Sequence, residues 1–253
     1  MTNYHPEPYW SEVANRIKGR KGKNIIAGDD EPFYRYKREK FLSMFKTIDF
    51  KAKKVLELGC GPGGNLQEVW KEIPKKLVGA DISKDMLELS RNKLPSEIEL
   101  IKINGTALPF KNQEFDYVFT ATVLQHNTNE EMLKKIMAEL CRVTNDRVFL
   151  FERIEKRIKG DDLCLGRPVK YYEEICEKFG FKLENNSFIN IRVSYYISGI
   201  IRIVFSPKTR QEGEPLSKIA IFLQNITLPI TKQLDKVFTS SKDLAKLEFK
   251  RIS

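Results

Sequence analysis

A glycine-bearing stretch after an apolar segment, VLELGCGPGGN at residues 55–65, is where the residue types first suggest chemistry. Gly59, Gly61 and Gly64 have G-x-G-x-x-G spacing, and glycine lets a backbone pass close to a ligand because it carries no Cβ. A helix that begins after such a loop also offers unpaired N–H groups and partial positive charge. The spacing alone fits a dinucleotide, another nucleoside cofactor or no ligand.

Two carboxylates near this loop narrow the choice of ligand. Glu57 lies two residues before the first glycine, where it would repel a pyrophosphate and attract an ammonium or sulfonium cation. Asp81 ends the next predicted strand, where a carboxylate can accept hydrogen bonds from both hydroxyls of a ribose. Glu57 therefore disfavours a nicotinamide-dependent oxidoreductase.

The elements that must position these residues alternate between strand and helix along the chain. Such alternation predicts an α/β fold with a doubly wound, mostly parallel sheet, whose ligands lie at the carboxyl ends of the strands. Ser83 is predicted to cap the helix that follows Asp81. The predicted strands are residues 53–58, 75–83, 97–103, 115–123, 146–154, 181–190 and, at an edge of the sheet, 244–252.

The segments outside the core are less regular. Residues 193–205 are apolar and fit either a strand or a helix, whereas apolar residues every three or four positions over 216–237 predict an amphipathic helix with a bend at Pro229. We predict one domain overall. Its parts are an N-terminal lid or helical segment at 1–50, a cofactor-binding core at 51–191, a helical cap insertion at 192–240 and a terminal strand at 241–253.

The net charge of +10 is concentrated in the flanks, because residues 1–54 and 192–253 each carry +6 whereas residues 55–191 carry −2. Such flanks suit a phosphorylated substrate, a nucleic acid or an anionic membrane surface, or they serve only solubility. The four cysteines lack C-x-x-C spacing and there are two histidines, which argues against a metal site or a disulfide framework. We expect a cytoplasmic protein with reduced thiols, no signal peptide and no membrane-spanning segment.

Four motifs over residues 50–153 resemble, in order, those of class I S-adenosylmethionine-dependent methyltransferases, particularly the type-11-like group. They are VLELGCGPGGN, GADIS, INGTALPF and FDYVFTATVLQH. The resemblance implies the Rossmann-like methyltransferase fold with a seven-stranded sheet. It also implies S-adenosylmethionine as the methyl donor and S-adenosylhomocysteine as the product.

The resemblance further implies one cofactor site built from the four motifs. Glu57 would reach toward the amino group of the donor, and Asp81 would bind its ribose diol. Asn104 stands where the third motif usually has Asp, and its amide oxygen can still accept from the adenine amino group. The other implied positions are Gly59, Cys60 and Gly61 at the methionine part, Ile82, Met86, Gly105 and Thr106 at the adenine, and Thr120 near the sulfonium.

Fewer residues define the acceptor side. His126 follows the fourth strand and would act as a general base or orient the acceptor, or else hydrogen-bond the loop backbone. Gln125 and Asn127 are substrate contacts or turn residues. Tyr34 and Arg38 contact substrate from the predicted lid or belong to an ordinary amphipathic helix.

From these residues we predict methyl transfer to a small-molecule acceptor such as a sugar, a lipid or another metabolite, with oxygen as the methylated atom. The acceptor would be anionic or partly apolar, and the apolar region after residue 192 would cap it, form a homodimer, touch a membrane peripherally or lie in the core. The alternative is an RNA or tRNA methyltransferase that uses the basic flanks. It is less favoured because TATVLQ replaces the Asn/Asp-Pro-Pro-aromatic pattern of exocyclic amine methylation. A non-catalytic cofactor-binding subunit is disfavoured by the intact loop and its two acids.

Overall fold

A seven-stranded sheet forms the centre of the first of two units in the computed structural model, which describes residues 5–20 and 31–252. We call this first unit the sheet unit. It holds the chain up to Ser11, Ile48–Phe188 and the chain from Lys242 onward. The second, which we call the helical unit, holds Glu12–Thr47 and Ile189–Ser241.

The order of strands in the sheet is β3-β2-β1-β4-β5-β9-β8, in which the pairs from β3 to β5 are parallel and β9 is antiparallel to both neighbours. This order confirms the predicted doubly wound, mostly parallel fold. The strands are β1 Lys54–Leu58, β2 Lys76–Asp81, β3 Glu99–Lys102, β4 Phe115–Ala121, β5 Thr144–Ile154, β8 Phe181–Phe188 and β9 Asp243–Arg251, with a separate small hairpin of β6 Lys159–Gly160 and β7 Leu165–Gly166.

The prediction that residues 244–252 form an edge strand was wrong. β9 is hydrogen-bonded to β5 on one side and to β8 on the other. The strand carries alternating charged residues, yet Lys246 is buried and its Nζ lies 3.6 Å from a carboxylate oxygen of Glu248. Pairing of charges within the strand thus lets a strand of this composition lie inside the sheet.

Eight helices are described, and the caps of two of them follow directly from the sequence. Ser83 Oγ accepts from the N–H of Met86, as predicted, and Asn129 Oδ1 accepts from two N–H groups of the next helix. Residues 193–205, which fitted either a strand or a helix, are helical. The helices are α1 Pro6–Lys18, α2 Pro32–Phe45, α3 Gly64–Trp70, α4 Lys84–Arg91, α5 Glu130–Val143, α6 Val169–Glu177, α7 Arg192–Phe205 and α8 Lys218–Val237.

In the helical unit, a carboxylate of α8 caps the N-terminus of α7. Ile191 occupies the N-cap position of α7 and offers no side-chain acceptor. Asp235 Oδ1 accepts instead from the N–H groups of Val193 at 2.6 Å and Ser194 at 3.2 Å, and its Oδ2 accepts from the Ser194 hydroxyl. A negative charge at a helix N-terminus also interacts favourably with the helix dipole.

We expect the substitution Asp235→Ala to lower the free energy of unfolding by about 3 kcal/mol, because it removes the carboxylate that accepts from two N–H groups and the Ser194 hydroxyl at the start of α7. Urea denaturation followed by circular dichroism measures the change. Glu39→Ala is the control, since this α2 carboxylate is exposed and its ion pair with Lys232 spans 3.7 Å. The control should cost less than about 0.5 kcal/mol, and equal losses for the two variants would contradict the capping role.

Candidate active site

The glycine loop between β1 and α3 is hydrogen-bonded to β2 at its start and borders unfilled space at its middle. The N–H groups of Gly59 and Cys60 donate to the carbonyl of Ala80 in β2, at 2.7 and 3.1 Å. Gly59 has a φ of +72°, and a Cβ there would lie 2.3 Å from Cγ2 of Val123. Gly61 has a φ of +49°, yet a Cβ there would meet no atom within 4 Å. The loop therefore packs tightly at Gly59 and borders open space at Gly61.

Asp81 is fixed beside this open space by the backbone on both sides. Its Oδ2 accepts from the N–H of Gly61 and its Oδ1 from the N–H of Ser83, both at 2.8 Å. The hydroxyl of Ser90 donates to the Gly61 carbonyl at 2.7 Å, so both polar groups of that glycine are held. Burial raises the pKa of Asp81 above its ordinary value, and the two N–H groups counter part of this effect.

Glu57, the second acid of the loop region, is buried at the end of β1. Its Oε1 accepts from the side-chain amide of Asn65 in α3, at 2.6 Å. Asn65 was not singled out from the sequence, although its place one residue into the helix after the loop was visible. Burial, followed by the nearby charges of Asp81 and Glu57, raises the pKa of the Cys60 thiol well above its ordinary value. Cys60 is thus a neutral thiol and no nucleophile.

The residues predicted to contact adenine follow β2 and β3. Ile82 is half-buried and Met86 is buried. Asn104 is exposed, and its Oδ1 accepts from Nζ of Lys102 at 3.2 Å. An amide oxygen has two lone pairs, so this contact leaves room for the predicted bond from an adenine amino group. Gly105 has a φ of +81°, which makes the turn before the half-buried Thr106.

A buried carboxylate that the sequence analysis missed organises the segment after β4. Glu152 of β5 is fully buried, and its Oε1 accepts from the hydroxyl of Thr120 at 2.8 Å and the N–H of Val123 at 3.1 Å. Its Oε2 accepts from the N–H of Gln125 at 3.1 Å. Burial raises the pKa of Glu152 despite these donors. An acid inside the apolar run VFLFERI was the signal that could have identified it.

We expect Glu152→Gln to reduce kcat about tenfold or more while changing the Kd for S-adenosylhomocysteine less than about threefold. An amide NH₂ must replace one oxygen that now accepts from N–H groups, so the segment holding Gln125 and His126 is displaced. The control is Glu155→Gln, also in the sheet unit, whose Oε1 pairs with Arg153 at 3.1 Å. A variant that keeps full kcat, or one that loses cofactor affinity and kcat equally, would contradict this positioning role.

His126, the predicted general base, lies in a short 3-10 turn after β4. Its Nδ1 lies 2.8 Å from the carbonyl oxygen of Leu163, so this nitrogen carries the proton in the neutral ring. Nε2 is then the acceptor, and it lies 3.2 Å from the amide nitrogen of Gln125. The ring of Trp10 meets the imidazole edge-on, with centroids 5.0 Å apart. The loop contact considered from the sequence is therefore present, whereas the roles of His126 as a general base or in orienting the acceptor stay predictions.

The neighbouring polar residues are also tied to the loop. Gln125 Oε1 accepts from the N–H of Arg153, and the side-chain amide of Asn127 donates to the Val123 carbonyl. Arg167, fully buried and missed from the sequence, donates to the carbonyl of Asn127 at 2.7 Å. The roles predicted for Gln125 and Asn127 in substrate binding stay predictions.

Tyr34 and Arg38 lie in α2 of the helical unit. The hydroxyl of Tyr34 accepts from Arg202 at 2.8 Å, and the guanidinium of Arg38 lies 4.9 Å from the ring centre of Phe41. Their contact with substrate stays a prediction. Residues 1–4 and 21–30 of the predicted N-terminal lid segment lie outside the described residues.

Comparison with known proteins identifies the class. Residues 55–147 match the family model of the methyltransferase domain. An uncharacterised methyltransferase of Schizosaccharomyces pombe is 26% identical over 72% of this chain and 78% of its own length. A malonyl-[acyl-carrier protein] O-methyltransferase of Legionella pneumophila is 30% identical over 47% of this chain and 43% of its own. Magnesium protoporphyrin IX methyltransferase of Synechocystis, solved with bound S-adenosylmethionine, shares the fold with a TM-score of 0.57 over 95% of this chain and 90% of that one, at 14% identity.

Residues 55–147 are therefore a methyltransferase domain, and the fold of the sheet is shared with S-adenosylmethionine-dependent methyltransferases. The predicted family, enzyme class and cofactor are thereby confirmed.

Proposed function

We propose that the chain binds S-adenosylmethionine along the glycine loop and Asp81, and methylates an oxygen of a small-molecule acceptor beside His126. One observation supports the donor site most strongly. The carboxylate of Asp81 is held next to the open space at Gly61. Ribose hydroxyls can donate to those oxygens, and the positively charged end of the donor is favoured by the nearby acid Glu57.

The bound donor supplies a methyl group on an already activated sulfonium leaving group. The chain's remaining tasks are to align the acceptor and to take up its proton. Nε2 of His126 is the nitrogen able to receive that proton, since the Leu163 carbonyl holds the proton of Nδ1. For this step the Gln125 amide must give up its contact with Nε2. A hydroxyl acceptor benefits from such a base, and the oxygen specificity named for the Legionella relative supports the same choice of atom.

The proposal is tested by incubating the protein with radiolabelled S-adenosylmethionine and, separately, a metabolite extract and total RNA. We expect the label to appear in the small-molecule fraction. If the acceptor is a hydroxyl, the labelled product should survive conditions that hydrolyse methyl esters. Label that stays with RNA at high salt would contradict the proposal.

His126→Ala is expected to lower kcat about 100-fold while leaving the Kd for S-adenosylhomocysteine within about twofold. The matched control is His5→Ala, because His5 is exposed and its backbone carbonyl, not its ring, accepts from the N–H of Tyr9. Full turnover by the His126 variant would remove the base from the mechanism and leave the donor site unaffected.

A further inference from the structure

Helix α8 of the helical unit is turned with its polar side inward and its apolar side outward. Three of its five buried residues are polar; the five are Ala220, Gln224, Leu228, Thr231 and Asp235. The outward stripe recurs every three or four residues, which is one face of a helix. That stripe consists of Ile219, Phe222, Ile226, Ile230, Leu234 and Val237, each between 39% and 73% exposed.

The inward polar side has defined partners, so the orientation of α8 is specified by the sequence. Gln224 Oε1 accepts from the N–H of Phe33 in the first turn of α2, at 3.1 Å. Asp235 caps α7, as described above, and Thr231 Oγ1 lies 2.9 Å from the hydroxyl of Ser194. Rotating α8 to bury its apolar stripe would break the bonds at both helix N-termini.

Helix α7 has the same inverted pattern. Its buried residues are Ser194, Ser198 and Ile201. Its outward residues Tyr196, Ile200, Ile203 and Val204 are 58% to 78% exposed. Two adjacent helices that expose this much apolar surface mark an interaction site, because isolated proteins rarely leave large apolar patches in water.

The charges of the helical unit indicate the chemistry of the partner. Its two segments contain 17 Lys and Arg against 8 Asp and Glu, so they carry +9 of the chain's net +10. The one carboxylate within α7 and α8 is Asp235, which is buried, whereas Arg192, Lys218 and Lys236 are exposed. The outward surface of both helices is therefore apolar and cationic.

We infer that the exposed sides of α7 and α8 dock on the surface of an anionic lipid bilayer. Apolar side chains would enter the boundary of the acyl chains while Lys and Arg contact the headgroups, as in interfacial amphipathic helices. A second copy would bring two cationic surfaces together, which like-charge repulsion disfavours. Among the described residues no helix has the length and apolar character to cross a bilayer. This inference concerns the helical unit alone and does not depend on the proposed acceptor.

Cosedimentation of the full chain with vesicles tests the inference, without cofactor or turnover. Vesicles of equal parts phosphatidylcholine and phosphatidylglycerol should bind the protein, and binding should weaken as salt is raised. The double substitution Ile203→Asp/Ile230→Asp should weaken binding about tenfold or more. The matched control is Ile73→Asp/Ile252→Asp, two residues of the sheet unit that are 75% and 59% exposed, and it should bind within about twofold of the unmodified chain.

We expect both double variants to fold, because all four positions are exposed. Thermal melting of each variant checks this. The inference is overturned if the unmodified chain stays in the supernatant, or if phosphatidylcholine alone binds it equally well. It is also overturned if both double variants lose binding equally. Sedimentation velocity that shows a dimer, which Ile203→Asp/Ile230→Asp dissociates, would assign the surface to a second copy instead.

Discussion

Replacing Asp81 by alanine is expected to weaken the binding of S-adenosylhomocysteine about 100-fold, or about 2.7 kcal/mol. Two effects combine in this loss. The ribose hydroxyls lose their charged acceptor, and the N–H of Gly61 loses the oxygen that holds the loop in place, 2.8 Å away. Isothermal titration calorimetry with purified protein measures the change.

Asp116→Ala is the matched control for this variant. Asp116 also accepts from a backbone N–H at 2.8 Å, that of Lys54, but at the start of β4 rather than at the carboxyl end of a strand. We expect the Kd of Asp116→Ala for S-adenosylhomocysteine to change less than about twofold.

The pH dependence of binding is a second readout. The affinity of the unmodified chain for S-adenosylhomocysteine should fall as the pH drops through the pKa of Asp81, because protonation removes the charged acceptor. Since burial raises that pKa, the fall should begin at a higher pH than for an ordinary Asp, and Asp81→Asn should abolish it. An unchanged Kd in Asp81→Ala would contradict the ribose assignment.

We expect Gly59→Ala to lower the stability of the protein and Gly61→Ala to weaken its binding of the cofactor. Gly59→Ala places a Cβ 2.3 Å from the Val123 side chain at a φ of +72°, so we expect a loss of about 3 kcal/mol in unfolding free energy. Gly61→Ala meets no protein atom, so it should cost only about 1 kcal/mol of backbone strain. The Gly61 variant should instead weaken S-adenosylhomocysteine binding about tenfold or more, because its methyl group enters the space assigned to the donor.

Urea denaturation of the free protein and calorimetric titration separate these two effects. The control is Gly59→Ala/Val123→Ala, which removes the methyl groups that clash and should recover part of the lost stability. Gly61→Ala with unchanged affinity would show that the donor does not lie against this glycine. Equal stability of the two single variants would contradict the packing of Gly59 against Val123.

The parts of the site that could be predicted from the sequence are those encoded locally. A strand, a glycine loop and an acid at the end of the next strand occur within residues 55–81, and Ser83 caps its helix three residues before Met86. Each depends on short spacing and on backbone geometry that a few residue types permit. The alternation of strands and helices along the chain is also a local signal, and it predicted the parallel part of the sheet.

The residues that the analysis missed act across long separations in the chain. Glu152 binds a segment about thirty positions earlier, and Arg167 bonds Asn127 from forty positions away. Spacing rules do not reach such pairs, although a charged residue inside an apolar strand was a usable signal. β9 was misplaced for a similar reason, because its position between β5 and β8 depends on partners far along the chain.

Helix α8 illustrates a different limit. Its periodicity correctly predicted two unlike faces, but periodicity does not say which face lies inward. That choice is made by Gln224 and Asp235, which cap α2 and α7 respectively. Polar residues on a helix therefore deserve to be considered as caps for other helices before they are assigned to solvent.

The most direct test of the central claim is a crystal structure of the chain with S-adenosylhomocysteine. The account predicts both ribose hydroxyls within hydrogen-bonding distance of the Asp81 carboxylate, with the homocysteine part lying against Gly61. A complex in which the ribose lies away from Asp81, or in which side chains fill the space beside Gly61 and the ligand binds elsewhere, would contradict it.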